Sequence, residues 1–381
     1  VRFLLIISLT LTLLQISADQ TRTVIQQSWS ISELFSSDSS VWSSPRRKPG
    51  SSFRQILDSG LRQNDGTKKF TTLDAKSNAT EDPDVKWRTD NQIAQILSNH
   101  AAGGLRFAVL GDSRPERHKI LRKLFYPKNA QFEKFLKIQS GLNLDFTIHL
   151  GDFVITGAKA QYEGFLKFLD DNVSWPLLTV IGNHEVKEPE GEATYQEKFG
   201  DEDYYFDFKG FRFIALGISN EERGISPAQL SWLQGILATN LRKIVLTHIP
   251  PKELASWSKS KVGRGLAKTF GGGFEGHSED FVRLMEQNKV ERVYVGHLHG
   301  FGVAQLGSVR YVLSGGAGSP LYPWRVVAFK IFNFVLVEIG ENNQLKETVY
   351  LGDGTSRPIE SFPVYTKLNP NAPEQHEDDL E

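Results

Sequence analysis

Six residues have side chains suited to a common chemistry. Asp112, Asp152, Asn183, His248, His297 and His299 each follow closely on a short apolar run. Carboxylate, amide-oxygen and imidazole donors together suit Zn, Fe, Mn or Mg rather than thiophilic metals. The chain contains no Cys. Thiolate ligands, disulfides, iron–sulfur clusters and cysteine nucleophiles are therefore excluded. Each piece alone says little. A Gly-Asp pair is ordinary turn chemistry, and a His-x-His merely places two rings on one face of a strand.

The elements before these residues give them their meaning. Residues 105–110 read as a buried strand ending in Gly111-Asp112, and residues 145–150 as a second ending in Gly151-Asp152. Residues 177–181 read as a third, ending in Gly182-Asn183-His184-Glu185. Residues 243–247 end at His248, and residues 292–295 end in Gly296-His297-Leu298-His299. Between them lie helical spacings over residues 131–139, 162–169, 227–237 and 278–288. Ser226 suits the N-cap of the third, and Ser278 with Glu279-Asp280 suits the start of the fourth. Residues 204–218 alternate about Gly210 like a hairpin, and residues 309–313 and 325–339 read as further strands. The pattern is α/β. In open α/β sheets ligands bind at the carboxyl ends of the strands. Five strand ends would therefore deliver the six residues to one rim.

The chain has 381 residues, 39% of them hydrophobic, and a net charge of −1. That apolar content suffices for a sizeable core. The charge balance argues against holding nucleic acid by bulk positive potential. Residues 1–18 join a basic start, an apolar stretch and a small-residue boundary, the layout of a secretory signal peptide, and imply a secreted or periplasmic location. The apolar stretch is shorter than the ~20 residues of a spanning helix, and no other segment reads as transmembrane. Residues 19–104 read as a Ser-rich, partly flexible N-terminal segment, residues 105–368 as the α/β domain, and residues 369–381 as an acidic flexible tail.

The ordered set Gly111-Asp112, Gly151-Asp152, Gly182-Asn183-His184-Glu185, Thr247-His248 and Gly296-His297-Leu298-His299 resembles the calcineurin-like metallophosphoesterase superfamily. The glycine-rich stretch from Ser314 to Leu321 resembles the secreted purple-acid-phosphatase-like or bacterial phosphoesterase branch. The resemblance implies a four-layer α/β/β/α sandwich and two divalent or trivalent metal ions, Mn, Fe, Zn or Mg. It implies Asp112 and His299 on a first metal, Asp152 bridging, and Asn183, His248 and His297 on a second. It implies that His184 lies over the substrate and stabilises the transition state or protonates the leaving oxygen.

Two positions depart from the family pattern. Arg114 stands where many members have a metal-binding His, and Ile155 where purple acid phosphatases have a Tyr ligand. A guanidinium has no lone pair for a metal, so Arg114 is expected to grip a phosphate oxygen instead. The alternatives place it against a carboxylate such as Asp112 or turn it to solvent. His149, inside its strand, belongs either behind the site or in the core. The lysine-rich stretch 250–276 is either a cover over the site or a solvated loop.

The whole reads as a metal-dependent hydrolase of small phosphate esters that uses a metal-bound hydroxide. The rivals are a phosphodiesterase rather than a phosphomonoesterase, or a catalytically silent metal-binding or interaction protein on the same fold.

Overall fold

The computed structural model describes residues 85–99, 103–115, 129–254, 272–321, 330–340 and 342–366, with the backbone alone for Thr71–Thr72 and residues 365–366. These fall within one compact unit, Thr67–Glu381. The expected signal peptide at 1–18, the serine-rich part of the N-terminal segment and the tail at 369–381 lie outside the described residues.

Among the described residues, fourteen strands form two sheets. The first sheet is built on three parallel strands: β2 (Leu105–Leu110), β3 (Phe146–His149) and β4 (Leu177–Thr179). It continues antiparallel from β2 through β11 (Asn333–Ile339), β12 (Leu345–Leu351) and β13 (Ser356–Pro358). The second sheet is built on four parallel strands: β6 (Phe211–Leu216), β7 (Arg242–Thr247), β8 (Arg292–Val295) and β10 (Val309–Ser314). Beside β6 lies its hairpin partner β5 (Tyr204–Phe208), flanked by β1 (Thr71–Thr72); beside β10 lies β9 (Phe301–Leu306), flanked by β14 (Val364–Thr366).

The inner faces of the two sheets share a core rich in Phe. Phe107 meets Phe213 edge-on with ring centroids 5.3 Å apart, and Phe146 meets Phe213 at 5.2 Å. All three rings are fully buried. Edge-to-face contact adds ~0.5–1.5 kcal/mol per pair to the burial of the rings. Outside the first sheet lie α2 (Ala130–Gln139), α3 (Lys159–Asn172) and α4 (Gly191–Phe199), whose Phe135, Phe165 and Tyr195 join one buried cluster. Outside the second lie α5 (Pro227–Leu237) and α6 (Ser278–Gln287), which bury Leu233, Phe281 and Met285 in another. The order helix, sheet, sheet, helix is the expected four-layer sandwich.

Local chemistry sets the ends of the helices. The Asn129 side chain accepts the Gln131 and Phe132 N–H groups at the start of α2. Ser226 and Gln229 form a reciprocal capping box around Pro227 at the start of α5. Helix α6 starts at Ser278, as the sequence reading placed it, with Glu279 and Asp280 in its first turn and His277, in left-handed backbone, just before it. The Ser278 hydroxyl donates to Glu253 and accepts the Lys252 N–H. Strand β11, read in the sequence as 325–339, begins at Asn333, and residues 325–329 lie outside the described residues. Helix α1 (Thr89–Ser98), unread in the sequence, places Ile93 and Ile96 in the inter-sheet core. Its Gln92 side chain accepts the Leu177 N–H on the edge strand β4.

Candidate metal centre

The seven parallel strands of the two sheets bring their carboxyl ends to one rim, and all eight residues singled out in the sequence stand there. Asp112 follows β2, Asp152 follows β3, and Asn183 and His184 follow β4. His248 follows β7, and His297 and His299 follow β8. Arg114 lies two residues beyond Asp112, with its side chain 14% exposed.

The backbone is bent sharply to aim these side chains. Asp112, Asp152 and His297 sit in left-handed conformation, with φ of 62°, 58° and 67°. Non-glycine residues reach that region at a cost of ~1–3 kcal/mol and persist there when their surroundings impose it. The Asp112 N–H donates to the Gly151 carbonyl, and the Arg114 N–H to the Asp152 carbonyl, so the first two strand ends lock together. The loops also approach very closely at Gly182, where a Cβ would lie 2.5 Å from Asp152 Oδ1 and 2.6 Å from Glu185 Oε2.

Hydrogen bonds behind the histidines decide which nitrogens face the rim. His248 Nδ1 lies 2.7 Å from the Leu150 carbonyl, which can only accept, so this nitrogen carries the proton. Its Nε2 lone pair then faces Asn183 Oδ1 at 3.1 Å and Asp152 Oδ1 at 3.3 Å. His299 Nδ1 likewise donates to the Pro320 carbonyl at 2.7 Å, turning Nε2 towards Asp112 Oδ1 at 3.3 Å. His297 Nε2 donates to Glu221 Oε1 at 2.9 Å, leaving Nδ1 facing Asn183 Oδ1 at 3.0 Å and His248 Nε2 at 3.3 Å.

Lone pairs thus converge from both sheets while their protons are engaged elsewhere. Asp112 Oδ1 is buried without a hydrogen-bond partner. Asp112, Asp152 and His248 offer ligand atoms all within 4.8 Å of one another. Acceptors crowded against acceptors repel, and a cation among them turns repulsion into coordination. The donor set therefore fits the metal ions that the sequence implies, with oxygen and imidazole ligands suited to Zn, Fe, Mn or Mg.

The two acids differ electrostatically. Burial pushes the Asp112 carboxyl up, and the negative charge of Asp152 adds to that. Burial also pushes Asp152 up, but His184, His248 and Arg114 outweigh it and hold Asp152 well below the usual carboxylate range. Arg114 Nε lies 3.8 Å from Asp152 Oδ2 and makes no hydrogen bond. The carboxylate beside Arg114 is therefore Asp152, whereas the sequence named Asp112 as an example. His184 donates from Nδ1 to the Ile155 carbonyl at 2.6 Å, and its Nε2 lies 3.8 Å from Asp152 Oδ2. Ile155 thus serves this site through its backbone. Burial lowers the His184 pKa to about 3 against the pull of Asp152.

Two acids without a role in the sequence reading hold this arrangement. Glu185 is buried, and its carboxylate accepts the N–H groups of Gly182, Asp152, Phe153 and Val154 at 2.7, 2.8, 2.9 and 3.1 Å. It ties the loop after β3 to the loop after β4. Its place in the Gly-Asn-His-Glu run was the available signal. Glu221, on the loop after β6, had none: it sits in an acidic turn 76 residues before His297. His149 lies behind the site. Its Nδ1 accepts the Gly151 N–H, its Nε2 donates to Ser113 Oγ at 2.8 Å, and burial lowers its pKa to about 3. His277 is half-exposed and pairs with Asp280 away from the rim.

Comparison with known proteins agrees with this architecture. No curated protein matches the chain. Among solved structures, a purple acid phosphatase from yellow lupin (Lupinus luteus) seeds aligns over 70% of this chain with 17% identity and a TM-score of 0.53. The alignment covers 54% of that enzyme, so the chain spans about half its length. A dimetal phosphatase from Danio rerio aligns over 67% of this chain and 98% of its own, at 16% identity and a TM-score of 0.47. The inner-membrane-complex anchor GAP50 of Plasmodium aligns over 67% and 88%, at 15% identity and a TM-score of 0.45. The likeness to the lupin enzyme speaks for the fold alone. The model of the calcineurin-like phosphoesterase family matches residues 105–301, the span that holds all eight rim residues. The chain belongs to the calcineurin-like phosphoesterase family.

Proposed function

We propose that the protein is a metal-dependent hydrolase of small phosphate esters. The observation that carries this reading is the convergence of lone pairs from Asp112, Asp152, Asn183, His248, His297 and His299 at one rim. The metals, when bound, would neutralise phosphate oxygens and lower the pKa of a shared water towards ~7. Asp112 and His299 would hold the first, Asn183, His248 and His297 the second, and Asp152 both. The polar face of Asp152 towards Arg114 and His184 marks the side from which the ester enters. Arg114, always cationic and free of a ligand role, would draw in a phosphate oxygen through its planar fork. His184, held by the Ile155 carbonyl through Nδ1, has a bare Nε2 and would act on the leaving oxygen by first taking a proton from Lys187 Nζ, which lies 2.5 Å from that nitrogen, and then giving it up.

The test is hydrolysis by chelator-stripped protein reloaded with Mn, Zn, Fe or Mg. Aryl phosphate monoesters and diesters, nucleotides and phospholipids would be compared. Metal-dependent turnover of at least one class supports the reading, and the preferred class separates monoesterase from diesterase. Metal uptake without turnover of any class would instead favour a silent metal-binding protein. We also propose export, on residues 1–18; recovery from a host's periplasm or medium with those residues removed would support it.

A further inference from the structure

The residue that aims His297 lies on a different loop from every metal ligand. Glu221 follows β6, a strand that contributes no ligand, and its Oε1 meets His297 Nε2 at 2.9 Å. Of the three histidines given a ligand role, His248 and His299 have the nitrogen facing away from the centre held by a backbone carbonyl, and His297 has it held by a charged side chain. The Glu221 side chain is 40% exposed, as a solvated surface acid would be, but it is anchored on both sides. Its Oε2 accepts the Gly272 N–H at 2.9 Å, and its backbone carbonyl accepts the Glu275 N–H at 2.8 Å. Close by, the Ile225 N–H donates to the Gly276 carbonyl at 3.0 Å, joining the same two stretches of chain. The hydrogen bond from His297, ahead of the opposing effect of burial, keeps Glu221 below the usual carboxylate range.

We infer that Glu221 is a positioning residue of the metal centre: through Nε2 it fixes the tautomer and angle of the His297 ring, so that Nδ1 points at the position shared with Asn183 and His248. This inference rests on the metal reading above. A carboxylate on the far nitrogen of a ligating imidazole raises the basicity of the ring and removes its freedom to rotate or change tautomer. Without Glu221, His297 Nδ1 and Nε2 become interchangeable, and the ring loses the contact that holds it against the mutual repulsion of three lone pairs.

The experiment is calorimetric titration of Mn into the chelator-stripped full chain, with no substrate. Glu221→Ala should weaken one binding step by ~10–100-fold. Glu221→Gln retains an oxygen that can accept from Nε2 and should recover part of the loss. Glu222→Gln makes the same change of charge on the exposed neighbouring side chain and should bind Mn as wild type does. The melting temperature of the metal-free Glu221 variants should hold, while its rise on adding Mn shrinks. Nitrogen NMR of the imidazoles should show a single His297 tautomer in the metal-free wild type and a mixture in Glu221→Ala. Wild-type affinity in Glu221→Ala, or an equal loss in Glu222→Gln, overturns the positioning role. If Glu221→Ala fails to fold, Glu221→Gln against Glu222→Gln makes the same comparison. A wild-type chain that takes up no metal overturns the metal reading itself, a result distinct from uptake that ignores Glu221.

Discussion

At the amino ends of the parallel strands, Glu347, Asp145 and Glu338 each meet a cation. Glu347, 1% exposed between the sheets, accepts Arg292 Nε at 2.8 Å and the Tyr294 hydroxyl at 2.7 Å. Lys209 lies 2.9 Å from Asp145, and Arg106 lies 2.5 Å from Glu338. These last four residues help line a cleft of about 520 Å³. At the carboxyl ends, Asp112 and Asp152 face imidazole nitrogens whose protons are donated elsewhere, and Arg114 is the nearby guanidinium. In the first arrangement the charges pair with one another among the described residues. The second is a surplus of lone pairs and buried negative charge. Unsatisfied chemistry, rather than the size of a hollow, sets the carboxyl-end rim apart from the opposite end.

Mutations that act on this difference should differ in kind and in size. The largest effect is expected at Asp152. Asp152→Asn replaces the carboxylate proposed to hold both metals with a neutral amide. Turnover should fall by orders of magnitude and bound metal should drop, as activity assays and elemental analysis of the purified variant would show; full turnover with full metal content would contradict its role.

His184→Ala comes next. It should leave metal content intact and lower turnover by ~10²–10⁴-fold if the ring acts as general acid. The loss should shrink for substrates with good leaving groups. A loss that is uniform across a series of leaving-group pKa values would leave only electrostatic stabilisation.

A paired stability measurement contrasts the two ends directly. Glu347→Gln leaves Arg292 buried without its anion and should destabilise the fold by ~3–5 kcal/mol in urea unfolding. Asp112→Asn should do the reverse in the presence of chelator. Its amide can donate to His299 Nε2 while its carbonyl oxygen still accepts the His297 N–H, so the metal-free fold should gain roughly 1 kcal/mol. Destabilisation of the metal-free fold by Asp112→Asn would break the contrast.

The smallest effect is expected at Arg114. Arg114→Ala should raise KM or modestly lower turnover without loss of metal, and Arg114→Lys should restore only part of the activity because Lys lacks the planar fork. Arg114→His should tighten metal binding beside Asp112. Unchanged kinetics in Arg114→Ala would make Arg114 a structural partner of Asp152 alone.

The parts of this architecture that could be read in the sequence were those written in consecutive residues. Each parallel strand that delivers a rim residue is a short apolar run closed by its polar residue, so strand and ligand appear together. Helix α5 was legible because Ser226, Pro227 and Gln229 announce its start. Helix α4 was not: its buried apolar side chains are Tyr195 and Phe199, too few to mark a face. The order of strands in each sheet depends on pairings between distant segments, such as β2 with β11, whose register joins Val109 to Val335. No local pattern encodes such a pairing. The same reason hid Glu221, whose partner is remote in sequence, whereas Glu185 lay within reach of its motif without showing that it would accept four backbone N–H groups. His149 was legible as a strand residue but not as the prop behind Ser113, because that depends on a neighbouring loop.

The donors of the rim come half from one sheet and half from the other: Asp112, Asp152 and Asn183 from the first, His248, His297 and His299 from the second. A cation held by both halves works as a removable cross-link. The sheets cannot slide or part without breaking coordination on one side, so a bound metal would slow opening of the hydrophobic seam between Phe107, Phe146 and Phe213. At a free metal concentration one hundred times the dissociation constant, each site would add ~2.7 kcal/mol to the folded state. The loaded chain should therefore outlast the stripped chain under protease, with the first cuts delayed in both sheets together.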